Sequence, residues 1–319
     1  MKQRILITGG SGFIGSNLIE ELLKQDNVEL LNIDIEESPI KEFNAITKIC
    51  DIRDRERLEI IIKDFNPTHI IHLAARTDLD GKTLDDYSSN TIGVKNLLDV
   101  ANNLADIQKI LITSSMLVCK SGYQPSGELD YCPNTVYGES KVETERITRA
   151  ANLKCDWVFL RPTSIWGPWF KVPYRNFFDM VMSRRYFHIG KKSCTKTYGY
   201  IGNSVYQIIQ ILNDATICKS HKVFYLGDKP TNIEDWANEI GGTLGFKIPR
   251  LPFWTLKAAG YLGDFLKAFG YHFPMTSFRL KNMTTDNVID LTVTNLVAPN
   301  PPYDRITGIK HTLDWLKGQ

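Results

Sequence analysis

The first half of the chain alternates short β-branched runs with stretches in which apolar residues recur every three or four positions, the pattern of strand–helix–strand units around a parallel sheet buried on both faces. Strands are predicted at residues 4–8, 29–34, 46–50, 69–74, 109–114 and 157–161. Ile14, Leu18 and Leu22 form one helical stripe after the first strand. A second helix spans 53–65 and is stopped by Asn66-Pro67. A longer one is predicted over 85–104, with Val94, Leu97, Leu98 and Ala101 turned inward. Residues 137–151 are rich in good helix formers, so side chains there can be assigned to faces.

Beyond Gly167-Pro168 the alternation gives way to an aromatic-rich stretch with Trp169, Phe170, Tyr174, Phe177 and Phe178. The expected fold class is α/β. A doubly wound parallel sheet occupies residues 1–168 and is revisited by about 197–226, ending in a strand at 222–226. A smaller C-terminal α+β substrate lobe spans 169–319. Thr231-Asn232-Ile233-Glu234 reads as a capping box opening a helix to about Leu244.

Composition narrows the class further. At 319 residues, 43% hydrophobic and 23% charged, this is an ordinary folded protein rather than a disordered or fibrous one. A net charge of +2, from 38 basic against 36 acidic residues, supplies no field that would attract nucleic acid. Six scattered cysteines without a CxxC pair, and no secretory apolar core, lead to the expectation of reduced thiols in the cytoplasm. No run reaches the ~18 apolar residues of a transmembrane segment. The nearest, 253–269, is interrupted by Lys257, Asp264 and Lys267 and reads as a helix of the substrate lobe, with an interfacial helix as the alternative. His69 and His72 fall on opposite faces of one strand, which argues against a metal site. Arg184-Arg185 with Lys191-Lys192 would suit a substrate diphosphate or a solvated basic face equally.

Strand, Thr8-Gly9-Gly10-Ser11-Gly12-Phe13-Ile14-Gly15 and helix follow one another directly. Glycines there let the backbone approach a pyrophosphate, whose charge is met by N–H groups at the helix start. Gly9, Gly12, Phe13, Ile14 and Gly15 are therefore candidate cofactor contacts. Asp34, nineteen residues after Gly15, ends the second strand, where a carboxylate can accept from both ribose hydroxyls. Glu36 and Glu37 beside it would repel a 2′-phosphate, so NAD is favoured over NADP. The plainer alternative is a glycine turn with Asp34 as a strand-end cap.

Tyr137 and Lys141 stand four residues apart, on one face of the predicted helix. Removing hydride from a secondary alcohol also requires removing its proton. A free tyrosine, with a pKa of about 10, is a poor base until a nearby cation favours its anion. Tyr225 and Lys229 share the spacing, but Gly227-Asp228 and Pro230 put them in a strand and a turn. Ser115, just past the strand 109–114, lies where open α/β sheets bind ligands and could hold the reacting oxygen. Thr113 and Ser114 are the alternatives at that strand end.

The glycine loop, Asp51-Ile52, His72-Leu73-Ala74-Ala75, Asn90, Thr113-Ser114-Ser115, Tyr137-Gly-Glu-Ser-Lys141 and Leu160-Arg161-Pro162 together resemble the extended short-chain dehydrogenase/reductase family, and within it the NAD-dependent nucleotide-sugar epimerase/dehydratase branch. The resemblance is specific up to about Pro168. It implies a Rossmann sheet, Asp51 and Ile52 at the adenine, Ala74 and Ala75 along the cofactor, and Asn90 in the support of the sheet. It further implies Ser115, Tyr137 and Lys141 as catalytic residues, Tyr137 and Lys141 also touching NAD, and a homodimer built on the helices 85–104 and 137–151.

Three departures from that branch matter. Met116-Leu117 follow the hydroxyl residue where the sugar dehydratases carry Asp-Glu, which argues against dehydration. The family's pyrophosphate-binding arginine falls on Lys196, which keeps the charge without the bidentate fork. The asparagine that touches the nucleotide diphosphate is replaced by Ser164. The expectation is 4-epimerisation of a nucleotide-activated sugar, with Ser115, Ser164 and Lys196 toward the substrate and a role in polysaccharide biosynthesis. Alternatives are an NAD(P)-dependent ketosugar reductase, a hydroxysteroid- or flavonoid-type alcohol dehydrogenase with Phe253, Trp254, Tyr261, Phe265 and Phe269 lining an apolar pocket, and a non-enzymatic NAD-sensing protein.

Overall fold

The computed structural model describes residues 2–172, 174–189, 193–252 and 285–319. Lys191-Lys192 and the aromatic positions Phe253, Trp254, Tyr261, Phe265 and Phe269 lie outside these described residues. Seven strands form the main sheet: β1 (Gln3–Thr8), β2 (Val28–Asp34), β3 (Thr47–Ile49), β4 (His69–His72), β5 (Lys109–Thr113), β6 (Asp156–Pro162) and β7 (Val223–Leu226). All neighbours are parallel, in the order β3-β2-β1-β4-β5-β6-β7. Strand order therefore reverses between β1 and β4, and an open α/β sheet binds its ligands at such a point.

Both faces of the sheet are covered, which is why its central strands are almost wholly apolar. Helix α1 (Phe13–Leu22) buries Leu18, Ile19 and Leu22 on one side, in the same cluster as α6 (Ile201–Asn213) and α8 (Arg305–Lys317). On the other side α2 (Arg55–Phe65) and α3 (Val94–Ala101) pack with Leu58, Ile62, Leu97 and Leu98. Asp54 caps α2 by accepting from Arg57 N, and Asn66 ends it in the left-handed conformation at φ 46°.

The long helix expected over 85–104 is broken into three pieces. A 3₁₀ turn (Leu84–Tyr87) and a π turn (Ser89–Gly93) precede α3. Gly93 sits so close to Ile52 that a Cβ there would lie 2.5 Å from its Cδ1, and Asn90 is drawn toward Arg76, accepting from its N at 2.9 Å. Such π turns widen a helix where local packing demands it. The capping at the start of α7 (Ile233–Thr243) also differs from expectation: Asn232, not Thr231, caps it, accepting from Glu234 N at 2.9 Å.

The part of the chain after β6 builds an aromatic core. Trp236 of α7 lies 4.7 Å from Phe177 and 5.7 Å from Phe178 of α5 (Tyr174–Met182), and 4.6 Å from Tyr198, ring centre to ring centre. The short parallel pair Ser164–Trp166 and Tyr198–Tyr200 ties this region to the end of β6.

Candidate active site

The loop after β1 meets the end of β4 at the switch point. Gly9, at φ +77°, leaves so little room that a Cβ would come within 2.5 Å of Ala74 N, and a Cβ on Gly15 would lie 2.4 Å from Gly10 Cα. Gly12 stands at the N-cap of α1 with no side chain capping the helix. The first amides of α1 thus face a cradle shaped for an anion. Asp34, at the end of β2, accepts from Ser11 N at 2.9 Å and from Ile35 N at 2.7 Å, so its carboxylate is fixed against the loop. Phe13 and Ile14 pack partly buried against the core. These residues fit NAD: close backbone approach, a helix N-terminus and a strand-end carboxylate are the features a dinucleotide without a 2′-phosphate requires.

Asp51 and Ile52 occupy different situations. Ile52 is buried beneath Gly93, whereas the Asp51 carboxylate is forked by Arg53, at 3.0 Å from Nε and 2.6 Å from Nη2. That pairing holds the Asp51 carboxyl below the usual range. Ala74 and Ala75 follow β4, and Ala74 N donates to Thr8 Oγ1 at 3.4 Å. Thr8 and His72 are cross-strand partners whose Oγ1 and Nδ1 are 2.6 Å apart.

Ser115, Tyr137 and Lys141 are brought together at the carboxyl end of β5. Tyr137 opens helix α4 (Val136–Ala150), which Thr135 caps by accepting from Gly138 N. Ser115 is extended at φ −159°, caps the next 3₁₀ turn by accepting from Leu117 N, and is hydrogen-bonded to the Tyr137 side chain. Lys141 Nζ donates to the Thr113 carbonyl at 2.9 Å. Of the two other hydroxyl candidates, Ser114 Oγ turns away to Glu145, at 2.6 Å, and Thr113 Oγ1 is buried without a hydrogen-bond partner among the described residues.

Burial dominates the electrostatics here. The Tyr137 hydroxyl is pushed up to about 12, although its hydrogen bond with Ser115 opposes this. Lys141 is brought down to about 8 by burial, with Glu145 acting in the other direction. His72 falls to about 3, through burial and then the charge of Lys141. Ser164 and Lys196 lie in the region after β6. Ser164 is buried and accepts from the Tyr174 hydroxyl at 3.0 Å. Lys196 is half-buried between Thr231 and Asn287, and burial lowers its pKa.

Further residues complete the surroundings of the site. Asn90 accepts from Arg76 N and donates to Ser140 Oγ at 2.9 Å, linking the chain after β4 to α4. Arg161 and Glu145 form a buried pair directly behind Lys141. Glu145 continues the stripe Tyr137–Lys141 by one more turn, a signal present in the sequence. Tyr87, 6.0 Å from the Tyr137 ring, offers no comparable signal.

Comparison with known proteins agrees with this geometry. A model of the NAD dependent epimerase/dehydratase family matches residues 5–205. The chain is 26% identical, over 99% of its own length and 96% of the relative's, to an N-acetyl-alpha-D-glucosaminyl-diphospho-ditrans,octacis-undecaprenol 4-epimerase of Escherichia coli O157:H7. It is 27% identical to a 3-beta-hydroxysteroid dehydrogenase of Mycolicibacterium neoaurum, covering 78% of this chain and 72% of that one. Its fold is similar to that of a UDP-glucuronic acid 4-epimerase from Bacillus cereus solved with NAD, at a TM-score of 0.75, 19% identity and 99% coverage of both chains. With the glycine loop, the switch point and the buried Tyr137–Lys141 stripe in place, the chain belongs to the NAD dependent epimerase/dehydratase family.

Proposed function

We propose that the protein is an NAD-dependent 4-epimerase of a nucleotide-activated sugar. One observation carries the reading: Ser115, Tyr137 and Lys141 converge at the end of β5, beside a switch-point loop built for NAD. NAD held by the glycine loop and Asp34 would supply the hydride acceptor and donor needed to invert a sugar carbon. Ser115 holds the reacting oxygen, Tyr137 takes the hydroxyl proton and later returns it, and Lys141 supplies the positive charge that offsets the effect of burial on Tyr137.

Asp34 supports epimerisation over reduction by NADPH, because an epimerase regenerates its own NAD. The 3₁₀ turn after Ser115 carries Met116 and Leu117, with no acid–base pair for dehydration. The relative from Escherichia coli supports a diphosphate-linked sugar. The reading extends to Ser164 and Lys196 as substrate contacts. It includes a homodimer through α3 and α4 and a cytoplasmic place in polysaccharide biosynthesis. Among the described residues no helix is long and apolar enough to cross a membrane.

The relative from Mycolicibacterium neoaurum supports a second reading, an alcohol dehydrogenase of sterol-like substrates. Thermal-shift screening of the NAD-loaded protein against UDP, GDP, CDP, dTDP and steroid alcohols separates the two, since a ligand that binds the native state stabilises it. Incubation with UDP-hexoses and with a polyprenyl-diphosphate-linked hexosamine then tests the reaction. No interconversion in any arm, with NAD bound, would sink the epimerase reading.

A further inference from the structure

Behind the catalytic stripe lies a buried ionic cluster that the reaction does not consume. Arg161 Nε and Nη2 donate to the two carboxylate oxygens of Glu145, each at 2.8 Å, and the two side chains are 1% and 0% exposed. Ser114 Oγ donates to the same carboxylate at 2.6 Å and the Tyr131 hydroxyl at 2.9 Å. Arg161 completes its set with the Tyr225 hydroxyl at 2.9 Å and the Glu128 carbonyl at 2.8 Å. A buried ion pair is a poor source of stability by itself, because desolvation offsets attraction. A fully satisfied network does fix one geometry. This one joins the residue after β5, α4, β6, β7 and the 128–131 segment.

Two of its connections reach the active site. Ser114 is the chain neighbour of Ser115, and Glu145 lies one helical turn beyond Lys141 and two beyond Tyr137. We propose that Glu145 is a positioning residue of this site: anchored by Arg161, it orients Ser115 through Ser114 and supplies the buried negative charge that keeps Lys141 a cation beside Tyr137.

The other groups around Glu145 are Arg161 from β6, Tyr131, and Tyr225 with Cys119 across Arg161; Arg149, on the same helix, lies against Tyr131 and pairs with the Glu128 carboxylate at 3.4 Å. Glu145 is the anion acting on the Lys141 ammonium, against the lowering by burial. His72, on the sheet side of Lys141, is neutral and offsets nothing.

The inference rests on the proposed roles of Tyr137 and Lys141, and the test keeps the two apart. Turnover against pH is measured for wild type, Glu145→Gln, Glu145→Asp and the pair Glu145→Met with Arg161→Met, with NAD content and thermal unfolding in parallel. Loss of the carboxylate lets Lys141 lose its proton at lower pH. Glu145→Gln should therefore keep its NAD while the alkaline limb moves down by about one pH unit or more, a roughly tenfold shift in the protonation equilibrium per unit. Glu145→Asp should restore part of the shift. The double methionine variant leaves no unpaired ion, and it should fold and show the lowered limb even if Glu145→Gln does not fold.

A rate reduced by the same factor at every pH, an unchanged profile, or failure of both variants to fold with NAD overturns the proposal in favour of a purely architectural cluster. Turnover retained in Tyr137→Phe would instead overturn the underlying functional reading. An inactive Tyr137→Phe with an unaltered Glu145→Gln profile removes only the positioning role.

Discussion

Lys141 Nζ donates to the carbonyl oxygen of Thr113 at 2.9 Å, so the buried ammonium is tied to the last residue of β5, two positions before Ser115. That bond fixes the cation relative to the hydroxyl that holds Tyr137. Replacing Lys141 by Met keeps the stem and removes the charge. Turnover should fall by about 10²–10⁴, the range for a misplaced acid–base group, with the fold intact by circular dichroism. In wild type, Lys141 titrates at about 8, so activity should decline as pH rises through that value. A Lys141→Met variant that keeps both its rate and its alkaline limb would remove this residue from the mechanism.

His72 gives the acid side of the stability curve. Burial and Lys141 lower it to about 3 in the folded chain, against 6.5 as its ordinary value. Between these values the unfolded chain binds a proton that the folded chain refuses. Stability is therefore complete above about 6.5 and is lost as pH falls toward 3, by at most about 1.4 kcal/mol per pH unit. Denaturation by urea at pH 7, 6, 5 and 4 checks this. His72→Gln should flatten the slope over that window, although it loses stability at pH 7 through the hydrogen bond to Thr8. An unchanged slope would assign the acid limb to the carboxylates.

The two residues just discussed differ in how legible they were. The shared helix face of Tyr137 and Lys141 is legible from their spacing, because a helix face is a local property. The strands were found for a similar reason: a parallel sheet covered on both sides admits few polar residues, so Ile5-Leu6-Ile7 and Ile110-Leu111-Ile112 are conspicuous. What stayed hidden depends on partners far along the chain. The break at Ser89–Gly93 follows from Ile52 and Arg76, and the turn of the Ser114 hydroxyl away from Ser115 follows from Glu145, thirty-one positions after Ser114. His72 carried a motif but no sign of its contact with Thr8.

The aromatic core after β6 predicts a large packing cost. Trp236 is 3% exposed and has the rings of Trp166, Phe177, Phe178 and Tyr198 between 4.6 and 5.7 Å away. Trp236→Ala should cost about 3–5 kcal/mol, as for other buried aromatic truncations, read as a lower midpoint in urea. NAD binding should persist below that midpoint, because none of the rings packed on Trp236 belongs to the glycine loop. A loss of less than about 1 kcal/mol would show that this cluster is loosely packed.

Asp34 should decide which dinucleotide is held. Its carboxylate is fixed by Ser11 N and Ile35 N at the rim of the glycine loop, with Glu36 and Glu37 next in the chain. A 2′-phosphate placed there would bring about two negative charges against it. Asp34→Ser removes that repulsion while leaving a short side chain that can still accept from a backbone amide. The ratio of NADPH to NADH affinity, measured by cofactor fluorescence titration, should rise by about tenfold, or about 1.4 kcal/mol. Most of the change should come from weaker NADH binding, since the ribose hydroxyls lose their acceptor, and the rest from relief of repulsion. Adding salt should narrow the gap in wild type more than in the variant, because only wild type presents the full charge. If Asp34→Ser leaves the ratio unaltered, the carboxylate serves only to cap the turn after β2, and the preference for NAD must come from elsewhere in the loop.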